Sequence, residues 1–144
     1  MNLTLHFTLE ELTFSDTAIR KGIDNTPSSQ IIANLTTLAI GLEDVRKLLN
    51  APIRINSGYR SSKLNAAIGG AKQSAHMEGY AADFTCSEFG TPLEIVTAIK
   101  DAGIECDKCI FEGSWVHVSF DPQARKQFMT AHFGAGGTTY TMGV

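Results

Sequence analysis

The stretch Ser74-Ala75-His76-Met77-Glu78-Gly79-Tyr80-Ala81-Ala82-Asp83-Phe84 decides how this chain is read. Residues 71–80 are polar and irregular and read as a loop, which puts His76 just ahead of a strand. Residues 81–86 are short, small and apolar, as in a buried strand, and carry Asp83 within them. A second short stretch, Trp115-Val116-His117-Val118-Ser119, alternates apolar and polar. Its period of two turns Val116 and Val118 into a core and sets His117 beside Trp115 and Ser119 on the other face. A histidine so placed faces a cleft.

Outward from these stretches the chain reads as helices around a small sheet. Residues 109–112 and 115–120 form two strands joined by Gly113-Ser114, a two-residue hairpin signal. Ile53-Arg54-Ile55-Asn56-Ser57 alternates as a strand with one buried face. The stripe Ile31, Leu35, Leu38, Leu42, Val45, Leu49 steps by four and three, which predicts one long helix from about Ser28 to Leu49. Thr8 with Glu11, and Thr91 with Pro92 and Glu94, are capping signals for two more helices. Residues 61–68 predict a short helix stopped by Gly69-Gly70, and residues 138–142 an edge strand. No repeat or linker divides the chain. The predicted fold class is α+β: a small, mainly antiparallel sheet packed against helices in a single domain over residues 1–144.

Composition bounds the function. The 144 residues are 43% hydrophobic and 19% charged, which fits one globular domain. The net charge of −3 offers no basic face to nucleic acid or to an anionic membrane. No apolar run approaches the roughly 18 residues needed to cross a bilayer. Residues 1–7 show no positive segment followed by an apolar run, so the expectation is synthesis in a cytoplasm without a signal peptide. The protein is expected to be a monomer. Of the three cysteines, Cys106 and Cys109 are spaced for a metal or a redox pair. One such pair without a second is a weak zinc signal, and it sits at the start of a strand rather than a helix. Reduced cysteines in or beside the core are the simpler reading.

The residue types that remain suit a metal. Zinc accepts imidazole nitrogen and carboxylate oxygen, and a catalytic site leaves its fourth position to water. His76, Asp83 and His117 supply three such ligands from a loop and two strands.

Three motifs then give a resemblance. Ser57-Gly58-Tyr59-Arg60-Ser61, Ser74-x-His76-x-x-Gly79-x-Ala81-x-Asp83-Phe84 and Trp115-Val116-His117-Val118-Ser119 together resemble the zinc D-Ala-D-Ala carboxypeptidase family. That family includes bacterial carboxypeptidases, D-Ala-D-Ala dipeptidases and phage endolysins that cut between L-Ala and D-Glu. Residues 7–12, 22–27 and 64–67 look like its phage and prophage branch, so the likeness covers nearly all of the chain. It implies a Hedgehog/D-Ala-D-Ala peptidase-like fold and a metallopeptidase that hydrolyses an amide bond in peptidoglycan stem peptides. It implies Zn2+ held by His76, Asp83 and His117, with Arg60 near the metal for a substrate carboxylate or a developing oxyanion. Ser74 is expected beside the site, as a hydrogen-bonding or substrate contact. The protein would reach the cell wall after lysis or as a phage or prophage protein.

The general base departs from the family pattern. Many relatives place an acid three residues before the last histidine ligand, where this chain has Ser114. Glu112, five residues before His117, resembles the glutamate of the phage branch and is the expected base, ahead of Asp107 and Glu78. The alternative is a non-catalytic domain in which zinc only stabilises a cell-wall-binding or structural fold.

Overall fold

The structure, a computed structural model, describes residues 1–144. The chain forms six helices and six strands, opening with three helices and closing with four strands. The helices are α1 (Leu9–Thr13), α2 (Asp16–Lys21), α3 (Ser29–Leu49), α4 (Ser62–Ala67), α5 (Ala75–Glu78) and α6 (Pro92–Ala102). The strands are β1 (Arg54–Ser57), β2 (Ala81–Thr85), β3 (Lys108–Phe111), β4 (Val116–Ser119), β5 (Gln127–Gly134) and β6 (Gly137–Met142). They form one sheet in the order β1-β2-β4-β3-β5-β6. Every pair is antiparallel except β3 with β5. The architecture is the α+β domain that the patterning predicts.

The predicted caps form. Thr8 and Thr91 each close a capping box, with Glu11 and Glu94. Ser28 caps α3, and Asn50 ends it in the left-handed conformation. On α3 the side chains of Leu35, Leu38, Leu42, Val45 and Leu49 are buried, and Ile31 packs at the margin. That stripe meets Ile95, Val96 and Ile99 of α6 and the inner sheet face, Ala82, Phe84, Val116 and Val118, in one core. Burial of these apolar surfaces is the main stabilising term. Gly41 lets α3 approach the sheet end closely: a Cβ there would lie 2.5 Å from the Phe120 ring.

Three elements differ from the sequence expectation. Residues 75–78 are not irregular but form α5, so His76 stands on a helical turn and not in a loop. Ser74 caps that turn, and Gly79 (φ 80°) ends it. The helix α2 and the strand β5 also go beyond the predicted elements.

No helix is long and apolar enough to cross a membrane.

Candidate metal centre

The outer sheet face holds the site, and strand register builds it. Asp83 of β2 lies directly opposite His117 of β4. Both strands bury their alternate residues, so both polar side chains point the other way. On the far side of β2 a register shift between Ile55 and Ser57 brings Ser57 opposite Asp83. Such bulges re-aim backbone beside sites. Next in the chain, the Gly58 carbonyl accepts a hydrogen bond from His76 Nδ1 at 2.8 Å. A side chain at Gly58 would strike the Leu12 carbonyl at 2.2 Å, so only glycine fits there.

The donor atoms converge. His117 Nδ1 lies 3.0 Å from Asp83 Oδ1, and His76 Nε2 lies 3.3 Å from the same oxygen. The ligand atoms of all three residues lie within 4.8 Å of one another. Tetrahedral zinc with bonds of about 2.0–2.1 Å separates its ligands by about 3.3 Å. The imidazole rings meet edge to face, with centroids 5.1 Å apart.

Hydrogen bonding makes the same case for a cation. Because His76 Nδ1–H is donated to Gly58, Nε2 of the neutral ring faces Asp83 with a lone pair. Burial disfavours the imidazolium and pushes His76 below its ordinary pKa. A lone pair against a carboxylate is repulsive unless a cation lies between them, so the residues fit a metal ion. The backbone–Nδ1 bond also fixes the ring and its tautomer, as partners of metal-ligating histidines do. For Asp83, burial alone would raise the carboxyl, but the contact with His117 and the neighbouring imidazoles hold it far below its usual range.

Arg60 and Glu112 border the cluster. Arg60 is half-buried, and its Nε is enclosed without a hydrogen-bond partner. Desolvation lowers its pKa, while the charges of Asp83 and Glu112 support the cation. Its backbone N–H donates to the His76 carbonyl at 3.1 Å. Asn25 braces the loop: its Nδ2 donates to the carbonyls of Thr13 and Tyr59, and its Oδ1 accepts from Ser61 N–H. The sequence marks Asn25 only as part of a turn, because its partners Tyr59 and Ser61 lie far along the chain. Glu112 stands at the end of β3, half-buried, with burial raising its carboxyl above the ordinary value. It accepts a hydrogen bond from Trp115 Nε1 at 2.8 Å. Ser114 is exposed at the tip of the same turn.

Ser74 Oγ accepts from the His76 N–H at 3.1 Å. Ser74 also lines a polar groove of about 870 Å³ on the outer side of α5, with Lys72, Glu78, Lys108 and Asp121. Of the other carboxylates considered as a base, Glu78 is exposed and lines this groove, which His76, Asp83 and His117 do not line. Asp107 is bound by Arg125 through both carboxylate oxygens.

The cysteines take no part. Cys86, Cys106 and Cys109 are buried and unpaired. Burial pushes the Cys106 thiol up to about 11 and raises Cys109 well above its usual value, so neither is a ready thiolate.

A His–Asp–His cluster that could hold a metal ion, on the open face of the sheet of a small α+β domain, is thus what fold and site define. A model of the family described as Peptidase M15 matches residues 5–119, from before α1 to the end of β4. The chain belongs to the Peptidase M15 family. No curated protein matches it.

Proposed function

We propose that this protein is a zinc metallopeptidase that hydrolyses an amide bond in peptidoglycan stem peptides. The bond is the D-Ala-D-Ala bond of a carboxypeptidase substrate or an L-Ala-D-Glu-type bond of an endopeptidase substrate. The observation that carries the reading is the convergence of three donor atoms, one each from His76, Asp83 and His117, with Arg60 and Glu112 alongside. His76, Asp83 and His117 would hold the zinc. Three protein ligands match a catalytic rather than a closed structural site. When bound, zinc supplies Lewis acidity, which makes a water nucleophilic near neutral pH and polarises a carbonyl.

The chain's own residues supply the rest. Glu112 accepts the proton of the attacking water and returns it to the leaving amine, and its raised pKa suits a group that must take and give a proton. Arg60 binds a substrate carboxylate or the developing oxyanion through a guanidinium that the fold leaves partly unsatisfied. Ser74 fixes the turn that carries His76 and contacts substrate in the adjoining groove. The protein acts as a monomer on the cell wall, after lysis or as a phage or prophage protein.

Mass spectrometry of purified muropeptides incubated with zinc-loaded protein tests this. Loss of a terminal alanine identifies a carboxypeptidase, and release of a stem peptide an endopeptidase. Unchanged masses with zinc bound would leave a zinc-stabilised domain that only binds the wall, the reading that Ser114 at the usual base position favours.

A further inference from the structure

The hairpin of β5 and β6 lies beyond the residues matched to the family, which end at 119. It still extends the sheet on the side of the metal centre, and register shows how. Asp83 pairs with His117, His117 with Ile110, Ile110 with Met129, and Met129 with Met142. Paired residues share a face of the sheet, so this row leads from the metal ligands to the outermost strand.

The next row on that face holds the groups around the expected base. Trp115 and Glu112 flank the β3–β4 turn, where the Glu112 N–H donates to the Trp115 carbonyl at 3.1 Å. Two residues beyond Met129 in the same parallel register comes Ala131, which pairs with Tyr140. Continuing the β3–β5 register one residue past Phe111↔Thr130 sets Glu112 opposite Ala131, and with strands about 4.8 Å apart Tyr140 then stands about 10 Å across the sheet from Glu112. Ala131 is 8% exposed, whereas the residues after it on β5 and all of β6 are exposed. One pleat further, Phe133 packs on Trp115, with ring centroids 6.2 Å apart. The hairpin therefore grips the turn that carries Glu112. It leaves Phe133, Tyr140 and Met142 59%, 48% and 67% exposed on the face that continues from the metal centre.

We propose that the β5–β6 hairpin forms one wall of the substrate cleft and that Tyr140 is a specificity-determining residue, its ring against the bound peptide and its hydroxyl donating to a peptide carbonyl beside the scissile bond. The occupant is the stem peptide of the peptidase reading, on which this inference rests. Continuity of the face with the metal ligands supports it. So does the character of the wall: aromatic and thioether surface with the hydroxyls of Tyr140 and Thr138 suits a chain of small side chains and exposed carbonyls. The phenol also feels the cleft, since partial burial and the charges of Glu112 and Asp83 raise its pKa.

The chain has one tryptophan, and Trp115 lies in this row, so its fluorescence reports occupancy. The test titrates a disaccharide-pentapeptide muropeptide into zinc-loaded E112Q and into E112Q/Y140F and E112Q/Y140A. It also measures turnover of wild type, Y140F and Y140A. Y140F is expected to raise Kd five- to tenfold and lower kcat/KM in proportion, with Y140A worse and zinc content and Tm unchanged. Variants binding and cleaving within twofold of their parents overturn the proposal while the peptidase reading stands. Binding that depends on Tyr140 without cleavage by wild type keeps the cleft and removes the peptidase reading. Absence of both binding and cleavage removes both. A dimer in sedimentation that Y140A dissociates would give this face to a second copy of the chain and overturn the proposal.

Discussion

Two carboxylates near the sheet, Asp107 buried and Asp83 half-buried, are treated by the chain in opposite ways. Asp107, just before β3, is enclosed by Arg125: Nε donates to Oδ1 and Nη2 to Oδ2, both at 2.8 Å, and the Arg125 N–H donates to Oδ1 at 3.0 Å. This is a complete ion pair with a permanent cation in fork geometry. The hydrogen bonds from Arg125 hold the carboxyl at about 2. Asp83 makes no ion pair with lysine or arginine. Its partners are two imidazoles, one of which has its proton committed to a backbone carbonyl. One carboxylate is neutralised by the chain itself. The other is free to take a cation from outside, and on the proposed function that asymmetry separates a structural acid from a ligand.

Removing each acid breaks the comparison where it is strongest. Asp83→Asn should drop zinc content, read by plasma mass spectrometry, from one equivalent to below a tenth and abolish peptide hydrolysis. Asp107→Asn should keep the full equivalent. Wild-type protein should gain about 4 kcal/mol of stability at zinc a thousandfold above Kd, a gain that Asp83→Asn forfeits. Stoichiometric zinc in Asp83→Asn would show that the donor set is wrong. Glu112→Gln is the next largest effect. Zinc stays bound, and kcat falls by about 10²–10⁴, the usual worth of a positioned proton-transfer group. Full activity in that variant would send the search for a base elsewhere.

How much of this was legible in the sequence depended on whether the signal was local. Val116 and Val118 dictate where His117 points, so its placing on the outer face was readable from five residues. The α3 stripe and the capping boxes of α1 and α6 repeat a pattern within one element, and all formed. The helical turn under His76 was not readable, since four residues are too few for a 3.6-residue period. Ser74 and Gly79 were its only marks. Ser15 and Gly22 likewise bracket α2, which has no apolar stripe to announce it. β5 pairs in parallel with β3, across a pairing that no hairpin signals. Its aromatic Phe133 makes sense only once Trp115 is placed beside it. The grip of Arg125 on Asp107, and of Asn25 on the Arg60 loop, are contacts between residues distant in sequence. Composition and periodicity carry no trace of these.

The structural carboxylate should show itself in stability. Asp107→Asn removes a charged acceptor from three hydrogen bonds, and Arg125 is partly exposed, so solvent weakens the pair. The expected cost is about 1–2 kcal/mol, seen as a Tm lower by several degrees. The sign of its pH dependence is fixed. The folded carboxyl titrates at about 2, below its ordinary 3.8, so on acidification the unfolded chain takes up the proton first. The stabilisation is complete above about pH 4 and is lost as the pH falls through about 2. Asp107→Asn should flatten the denaturation midpoint across that window, and an unchanged slope would mean that another acid dominates.

The finest test asks whether the two sites know of each other. Asp107 lies three residues along β3 from Ile110, the cross-strand partner of His117, or about 10 Å down the strand. The two carboxylates share no hydrogen-bond partner. A double-mutant cycle over Asp83→Asn and Asp107→Asn, measured by urea denaturation of metal-free protein, should therefore give a coupling energy below about 0.5 kcal/mol. Metal-free protein is the right state, because bound zinc would stabilise only the species that retain Asp83. A coupling of a kilocalorie or more would mean that the outer sheet face relaxes as one unit when either acid is lost. Asp107 would then be helping to hold the metal ligands in place, and the division between structural acid and ligand would fail.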